Sequence, residues 1–509
     1  MNRYDHVGLT EFTVRPYRSK RLRTYCERMS KDDTHVVFDD HVADVLRAQG
    51  YSFEENPRSI YRVEKLYEAL SKYAPKTIPA PKPSQDYESG VALARTCFSK
   101  PKDQLPLHIM PLTPQTVVDV TSNPSGSPGL TWYGVSKREA QTRALERGLQ
   151  TIKLEKQPEP CLAFTRTSKG DRTRLIWGYP YSMTVIEGCV AKPLLEMFKG
   201  RSTPMAFAMS TCALGTKLVV ASYHKRYAYS IDMSQFDATI SASLIHKAFC
   251  ILRTWFNMDE VEPVSGRTVK QFFDLIEKYF IHTTIVMPDG HIYIGKDHGV
   301  PSGSYFTQMI DSLVNTIIAG SLSSRFKLHV SRRELFVLGD DLLLWSNRLM
   351  SLDTMADYAK SNFHVIMHGS EKSLISKYDE PVHYLGRIWS NGLPSLDVQE
   401  IVEKMVYPER HRRYTSDDPE RLKREVRMLI LSYASVYREG WGIASSLLGA
   451  DRRNIHCGCA NTDVNTFCEG PRFTLDSDML SGYVRYRMKY LRDETPKGDI
   501  PITAKQYWL

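Results

Sequence analysis

Two pairs of aspartates carry the first hint of chemistry. Asp232 closes the apolar run of KRYAYSIDMSQFD and Asp237 lies five positions on, while Asp340 and Asp341 adjoin in ELFVLGDDLLLWS. Setting carboxylates among core-type residues costs desolvation free energy, and like-charged neighbours repel. An isolated strand-end Asp is commonly a helix cap or turn former, and a lone Gly-Asp-Asp commonly a hairpin turn. Together the two sites admit another reading. Convergence on neighbouring strands would gather oxygen-only ligands, which suit Mg²⁺ or Mn²⁺ rather than Zn²⁺. Two hard cations about 4 Å apart stabilise both the attacking and the leaving oxygen of a phosphoryl transfer. The two acidic sites are therefore a candidate metal centre, and the apolar flanks would hold their carboxylates on rigid strands.

Between the two acidic sites runs GVPSGSYFTQMIDSLVNTI. Gly299, Pro301, Ser302 and Gly303 make a flexible loop able to bring backbone amides close to a phosphate or base. Thr307, Asp311 and Asn315 follow at i+4 steps and stack on one helical face, which equally fits a capped helix with a polar outer stripe. Upstream, RTSKGDRTRLIWGYP sets Arg166, Lys169, Arg172 and Arg174 against the single Asp171. Such a run is commonly a solvated face. Here it leads straight into LIWGYP, which holds Arg174 at least near packed structure, where cations can neutralise a triphosphate.

These side chains need a scaffold, and the patterns supply one. KRYAYSIDMSQFD reads as a strand running into a turn, ELFVLGDDLLLW as strand, turn, strand, and TTIVMPDGHIYIG as a hairpin about its PDG. SYFTQMIDSLVNTIIAG has helical periodicity, and from about Val398 the chain is mostly helical and in places basic, as in YPERHRRY and RLKREVRM. Four prolines in YAPKTIPAPKPSQ (Tyr73–Gln85) favour extended backbone and set an N-terminal arm apart. That arm begins with Arg15, Arg18, Lys20, Arg21 and Arg23, either a solvated surface or a polyanion contact. VTSNPSGSPGLTWYG (Val120–Gly134) is a second loop-rich stretch.

Bulk composition narrows the function class. At 509 residues and 42% hydrophobic content the chain can bury a large core in more than one subdomain. A net charge of +9 is compatible with an acidic partner such as RNA, DNA or an anionic membrane. Nine cysteines in such a length do not form a disulfide scaffold. The start MNRYDHVGLTEFTVRPYRSKR lacks the apolar core of a signal peptide, and no run of 18 apolar residues occurs. The expectation is a soluble chain of a reducing, intracellular compartment with no membrane partner. His456, Cys457, Cys459 and Cys468 are spaced too tightly at HCGC for a usual zinc site, and none is expected.

The order of these elements resembles one family. D-x4-D, then SG-x3-T, then GDD, preceded by a basic segment, is the motif series of viral RNA-dependent RNA polymerases. GVPSGSYFTQMIDSLVN and RLIWGYP look most like the polymerases of partitiviruses, with picobirnavirus polymerases next, over about Arg166–Trp389. The resemblance implies an α/β (α+β palm) right-hand fold of fingers, palm and thumb, closed by fingertip contacts. The corresponding layout is 1–90 as an N-terminal arm linking fingers and thumb, 91–225 fingers, 226–250 palm, 251–295 a fingers insertion, 296–395 palm and 396–509 thumb.

By the same resemblance Asp232 and Asp340 match the palm carboxylates that bind two Mg²⁺ (Mn²⁺ as substitute), with Asp341 accessory. Asp237 matches the residue that senses the ribose 2′-hydroxyl. Ser302, Gly303 and Thr307 match the loop and helix that follow template and nucleotide. Arg166, Lys169, Arg172 and Arg174 fall in the fingertip segment over the NTP phosphates. Where many relatives carry Asn four residues after the Thr, this chain has Asp311, with Asn315 one turn on; partners for Asp311 would be Ser302, Thr307 or a nearby cation. Lys372, with Lys377 as competitor, resembles the lysine that protonates the pyrophosphate. VHYLGRIW (Val382–Trp389) resembles the primer-gripping segment, and Ser127 and Gly129 of SGSPGLTW match a template-access loop or form an ordinary turn. Implied partners are template and product RNA, NTPs and a viral capsid protein, for a monomeric enzyme inside the virus particle in the host cytoplasm. Asp237 and the Gly339 before the aspartate pair speak against a reverse transcriptase, and the intact carboxylates against a non-catalytic RNA-binding protein.

Overall fold

A computed structural model describes residues 9–447, apart from 20, 55–57, 169, 171–172, 201–202, 210 and short stretches between 410 and 445. Its strands in chain order begin with β1 (Thr13–Pro16), β2 (Cys161–Thr167), β3 (Thr173–Gly178), β4 (Tyr227–Ile231), β5 (Met233–Ser234), β6 (Ile285–Val286) and β7 (His291–Ile294). There follow β8 (Leu335–Leu338), β9 (Asp341–Ser346), β10 (Ile366–Met367), β11 (Leu374–Lys377), β12 (Val382–Tyr384), β13 (Arg387–Ser390) and β14 (Leu393–Ser395).

The sheet that matters most is four-stranded and antiparallel, in the order β11-β4-β9-β8. Antiparallel sheets commonly leave one face wet and alternate apolar with polar residues. DLLLWS does not alternate, because both faces of β9 are covered. Leu342 and Leu344 enter the main core with Tyr229 and Ile231, while Leu343 and Trp345 enter a smaller core with Leu214, Leu218 and Trp389. On the main-core side lies the helix Thr307–Phe326, whose residues from Met309 to Ser323 are all buried. The strand, turn, strand expected around Asp340 is β8, a turn, and β9. Gly339 starts the turn at φ +65°, a backbone conformation that glycine adopts without penalty.

A second sheet has the order β1-β7-β6-β2-β3. β6 and β7 form the hairpin that PDG predicts, and β1 from the N-terminal arm adds to its edge with Thr13 opposite Ile294. The prolines after Tyr73 keep the chain free of helix until Gln85–Phe98, where Ser84 caps the helix by accepting from the Tyr87 amide. Yet the arm is no appendage. Tyr25 donates its hydroxyl to the Ala163 carbonyl, and Val42, Ala43 and Leu46 complete a further apolar core with Ile401, Val402, Met405, Leu429 and Ile430. Buried Asp39 accepts there from Arg412 Nη1 at 2.6 Å and Tyr414 Oη at 2.7 Å.

Part of the basic cluster is already engaged with protein: Arg21 donates to the Tyr133 carbonyl and Arg23 pairs with Glu27. The helices Val398–Val406 and Pro419–Ala434 supply the helical C-terminal part. VHYLGRIW folds as the hairpin β12–β13. Among the described residues no helix is long and apolar enough to cross a membrane. Lys20, Lys169, Arg172, His456, Cys457, Cys459 and Cys468 lie outside the described residues.

Candidate active site

β4 and β9 run antiparallel with Ile231 opposite Leu342, so the end of β4 and the start of β9 meet at one edge of the sheet. Asp232 and Asp341 therefore stand beside each other, with Asp340 in the turn next door. Asp341 is half-buried, and its carboxyl is pushed up to about 7 by burial first, then by the charges of Asp340 and Asp232, against the opposing pull of Arg174. Asp340 opens to solvent on one side but is crowded by protein on the others, and this desolvation raises its pKa, with Asp232 adding repulsion. Oxygen-only donors of like charge fit a hard divalent cation. Among the described residues, however, no three His, Cys, Asp or Glu groups are drawn together tightly enough to enclose an ion in this arrangement.

Asp237, in the short helix Phe236–Thr239, faces Asp311 from the long helix. Asp237 is pushed up to about 6 by burial and by Asp340, with Arg174 and a hydrogen bond to Asp311 pulling the other way. Asp311 is 2% exposed and is raised well above the carboxylate range, by burial first and then by Asp237 and Asp340. Of the two, Asp311 is raised the further, and a carboxyl that holds its proton can donate as an amide would. Asp311 thus faces Asp237, while the Ser302 and Thr307 hydroxyls expected as its partners bond elsewhere.

The two hydroxyls are spent elsewhere. Ser302 Oγ accepts from the Trp177 amide at 3.1 Å, and Thr307 Oγ1 donates to the Pro301 and Ser304 carbonyls. The Thr307, Asp311, Asn315 stripe is not an outer one, because its Asp and Asn lie inside the molecule; nor does a side chain cap this helix. Asn315 Nδ2 donates to the Gly339 carbonyl at 3.0 Å and the Asp340 carbonyl at 3.1 Å, and Ser312 Oγ accepts from the Gly339 amide. The long helix thus grips the backbone of the aspartate turn at three points.

Residues 166–441, more than half of the chain, match the family model described as viral RNA-dependent RNA polymerase. The chain belongs to this family. The RNA-directed RNA polymerase of Cryptosporidium parvum virus 1 is 33% identical over 38% of this chain and 36% of its own length. For that of Atkinsonella hypoxylon virus the identity is 30% over 29% and 23%, and for that of White clover cryptic virus 1 it is 23% over 47% and 44%. The matches thus span less than half the length of these curated relatives. The crystal structure of the RNA-dependent RNA polymerase of a human picobirnavirus superposes with a TM-score of 0.67, covering 98% of this chain and 97% of that one at 14% identity. The fold is that of a right-hand polymerase with mixed α and β structure.

Within this polymerase fold, Arg166 and Arg174 are cross-strand neighbours on β2 and β3. Arg174 acts electrostatically on Asp237, Asp340 and Asp341, whereas Arg166 is paired with Glu409, which Arg58 also approaches at 3.7 Å. Lys372 Nζ lies 3.2 Å from His368 Nε2, which is 3.9 Å from Asp232 Oδ2. Lys377 sits at the other end of β11, opposite Tyr227, so Lys372 is the one on the carboxylate side. Ser127 Oγ accepts from the Gly129 amide in a turn docked on the start of the helix Tyr181–Gly200.

Sequence reasoning missed Tyr73, His368 and Ser312. Tyr73 packs edge-on against Trp177 at 5.2 Å, and its buried hydroxyl feels both Asp237 and Asp311. Nothing in YAPKTIPAPKPSQ marks it, because its proximity is made only by the fold. Ser312 adjoins Asp311 in sequence, but the helix carries several other polar residues and nothing local marks this one.

Proposed function

We propose that this chain is an RNA-directed RNA polymerase that replicates and transcribes a double-stranded RNA virus genome. One observation carries the reading: two carboxylate sites remote in sequence meet at one sheet edge, flanked by Asp237, Arg174 and the Ser302–Gly303 loop. Two Mg²⁺ ions held by Asp232 and Asp340, with Asp341 beside them, would lower the pKa of the attacking 3′-hydroxyl and stabilise the leaving oxygens. Asp237, with Asp311 behind it, would hydrogen-bond a ribose 2′-hydroxyl. Arg174 supplies positive charge for the triphosphate, and Lys372 a proton for the departing pyrophosphate.

In this reading 226–250 and 296–395 form the palm, 91–225 and 251–295 the fingers, 396–509 the thumb, and 1–90 an arm between fingers and thumb. The packing of Val42 and Leu46 with Ile401 and Leu429 supports that role for the arm. The enzyme would work as a monomer, with template and product RNA, NTPs and a capsid protein as partners, inside the virus particle in the host cytoplasm.

The test is incorporation of labelled NTPs on an RNA template with Mg²⁺ and Mn²⁺ compared. Asp340→Asn is expected to abolish incorporation while melting like the parent. Elongation retained in that variant would refute the assignment, and a preference of the parent for dNTPs would make it a reverse transcriptase.

A further inference from the structure

Glu187 lies in the middle of the helix Tyr181–Gly200, fully buried, and neither the sequence motifs nor the mechanism above uses it. A carboxyl group at such a place must be well hydrogen-bonded to be tolerated. Glu187 Oε2 accepts from Ser304 Oγ at 2.8 Å and from the Tyr305 amide at 2.9 Å. Both donors belong to the loop that carries Ser302 and Gly303 and leads into Thr307. Tyr305 is held a second time through its hydroxyl, which donates to the Val120 carbonyl.

The loop is therefore tethered on two sides. Toward the carboxylates, the Val300 amide donates to the Asp237 carbonyl at 2.7 Å and the Gly299 amide to the Ile240 carbonyl at 2.8 Å. Away from them, it leans on Trp177 through Ser302 and on Glu187 through Ser304 and Tyr305. Around Glu187 stand Tyr179, Tyr305, Tyr279 and the Cys161 thiol, with Lys296 beyond Cys161. Its two loop partners are both donors, and both converge on Oε2.

We propose that Glu187 is a positioning residue for RNA synthesis, anchoring the Gly299–Phe306 loop so that Ser302 and Gly303 stay registered against the nucleotide site. This rests on the polymerase reading. An apolar replacement leaves the Tyr305 amide and Ser304 hydroxyl unpaired and frees the loop to shift, and misplacement on the scale of 1 Å can cost about a hundredfold in rate. Gln retains a neutral acceptor oxygen of the same reach.

The experiment compares the full chain with Glu187→Ala, Glu187→Gln and Ser304→Ala in steady-state NTP incorporation and in amide hydrogen exchange. Expected for Glu187→Ala is a kcat loss of about tenfold or more with KM for NTP changed by less than about threefold. Exchange should accelerate at the Tyr305 amide but not in β4 or β9. Glu187→Gln should recover most of the rate and the protection. If Glu187→Ala fails to fold, Ser304→Ala decides, since it removes one of the two loop donors to Glu187 and should lower kcat by a smaller factor while speeding exchange at the Tyr305 amide. Unchanged kcat and unchanged exchange in Glu187→Ala, or in Ser304→Ala where Glu187→Ala does not fold, overturn the proposal. A parent chain that makes no RNA refutes the polymerase reading instead, and the exchange comparison still tests the anchor.

Discussion

Asp340 and Asp341 adjoin in sequence but differ in setting. Asp340 sits in the turn and opens to solvent, while Asp341 begins β9 and is half-buried, near Tyr384, whose hydroxyl pKa is raised by burial first and by Asp341 second. A residue one step behind them proves as informative. Asn315, by position a candidate for sugar recognition, spends both hydrogens of its amide on the carbonyls of Gly339 and Asp340. Removing a group that orients metal-binding residues commonly costs about 10- to 100-fold in metal affinity or activity. Asn315→Ala should therefore raise the Mg²⁺ concentration for half-maximal synthesis by about tenfold or more while leaving the NTP to dNTP ratio as it was. Asp237→Ala should do the reverse. Titrating Mg²⁺ and comparing the two nucleotides separates them, and a collapsed sugar ratio in Asn315→Ala would return that residue to ribose recognition.

At the scale of elements, the decisive contact is between the loop before the long helix and strand β3. A β-carbon on Gly303 would lie 2.1 Å from the Trp177 carbonyl oxygen, which is backbone and cannot turn aside. The loop would have to move away from β3, dragging Ser302 from the Trp177 amide. Gly303→Ala is expected to lower kcat/KM about a hundredfold, because relieving the clash with β3 displaces the loop. Unaltered kinetics would mean that the loop works in more than one position. The same strand carries Arg174, so β3 links the loop and a cation over the carboxylates in one rigid piece.

Across the whole molecule, a buried cation tests how the fold balances charge. Lys296 is 1% exposed, donates to the Phe280 and Ile281 carbonyls at the end of the helix Val269–Ile281, and lies over the Trp177 ring at 5.8 Å. Burial pushes its pKa down to about 7, against the opposing influence of Cys161 and Asp297. Between pH 7 and the lysine's ordinary value the unfolded chain binds more protons at this site than the folded one, so stability rises with pH. The parent should gain on the order of a few kcal/mol relative to Lys296→Met between pH 7 and 9. Denaturant unfolding at several pH values measures this. A constant difference between the two proteins would show that Lys296 stays charged in the folded state.

Much of this was legible in the residues themselves. Desolvation cost and local backbone chemistry act over a few positions, so GDD between apolar runs determined a turn bearing carboxylates. PDG determined the β6–β7 hairpin, and the spacing of apolar residues the long helix. Solvent was not legible there. The polar stripe on that helix reads alike whether it faces water or a second carboxyl, and only the packing of both faces of the β4–β9 sheet turned it inward. Partners far along the chain were hidden for the same reason. Tyr73 beside Asp237, Glu187 beneath Ser304 and Asn315 against Asp340 are pairings of residues remote in sequence, and no local preference encodes them. The sequence by itself determined which groups could do chemistry and the elements that bear them. The tertiary structure decided which way burial shifts those groups and what holds them in place, because desolvation and hydrogen bonding depend on every atom nearby.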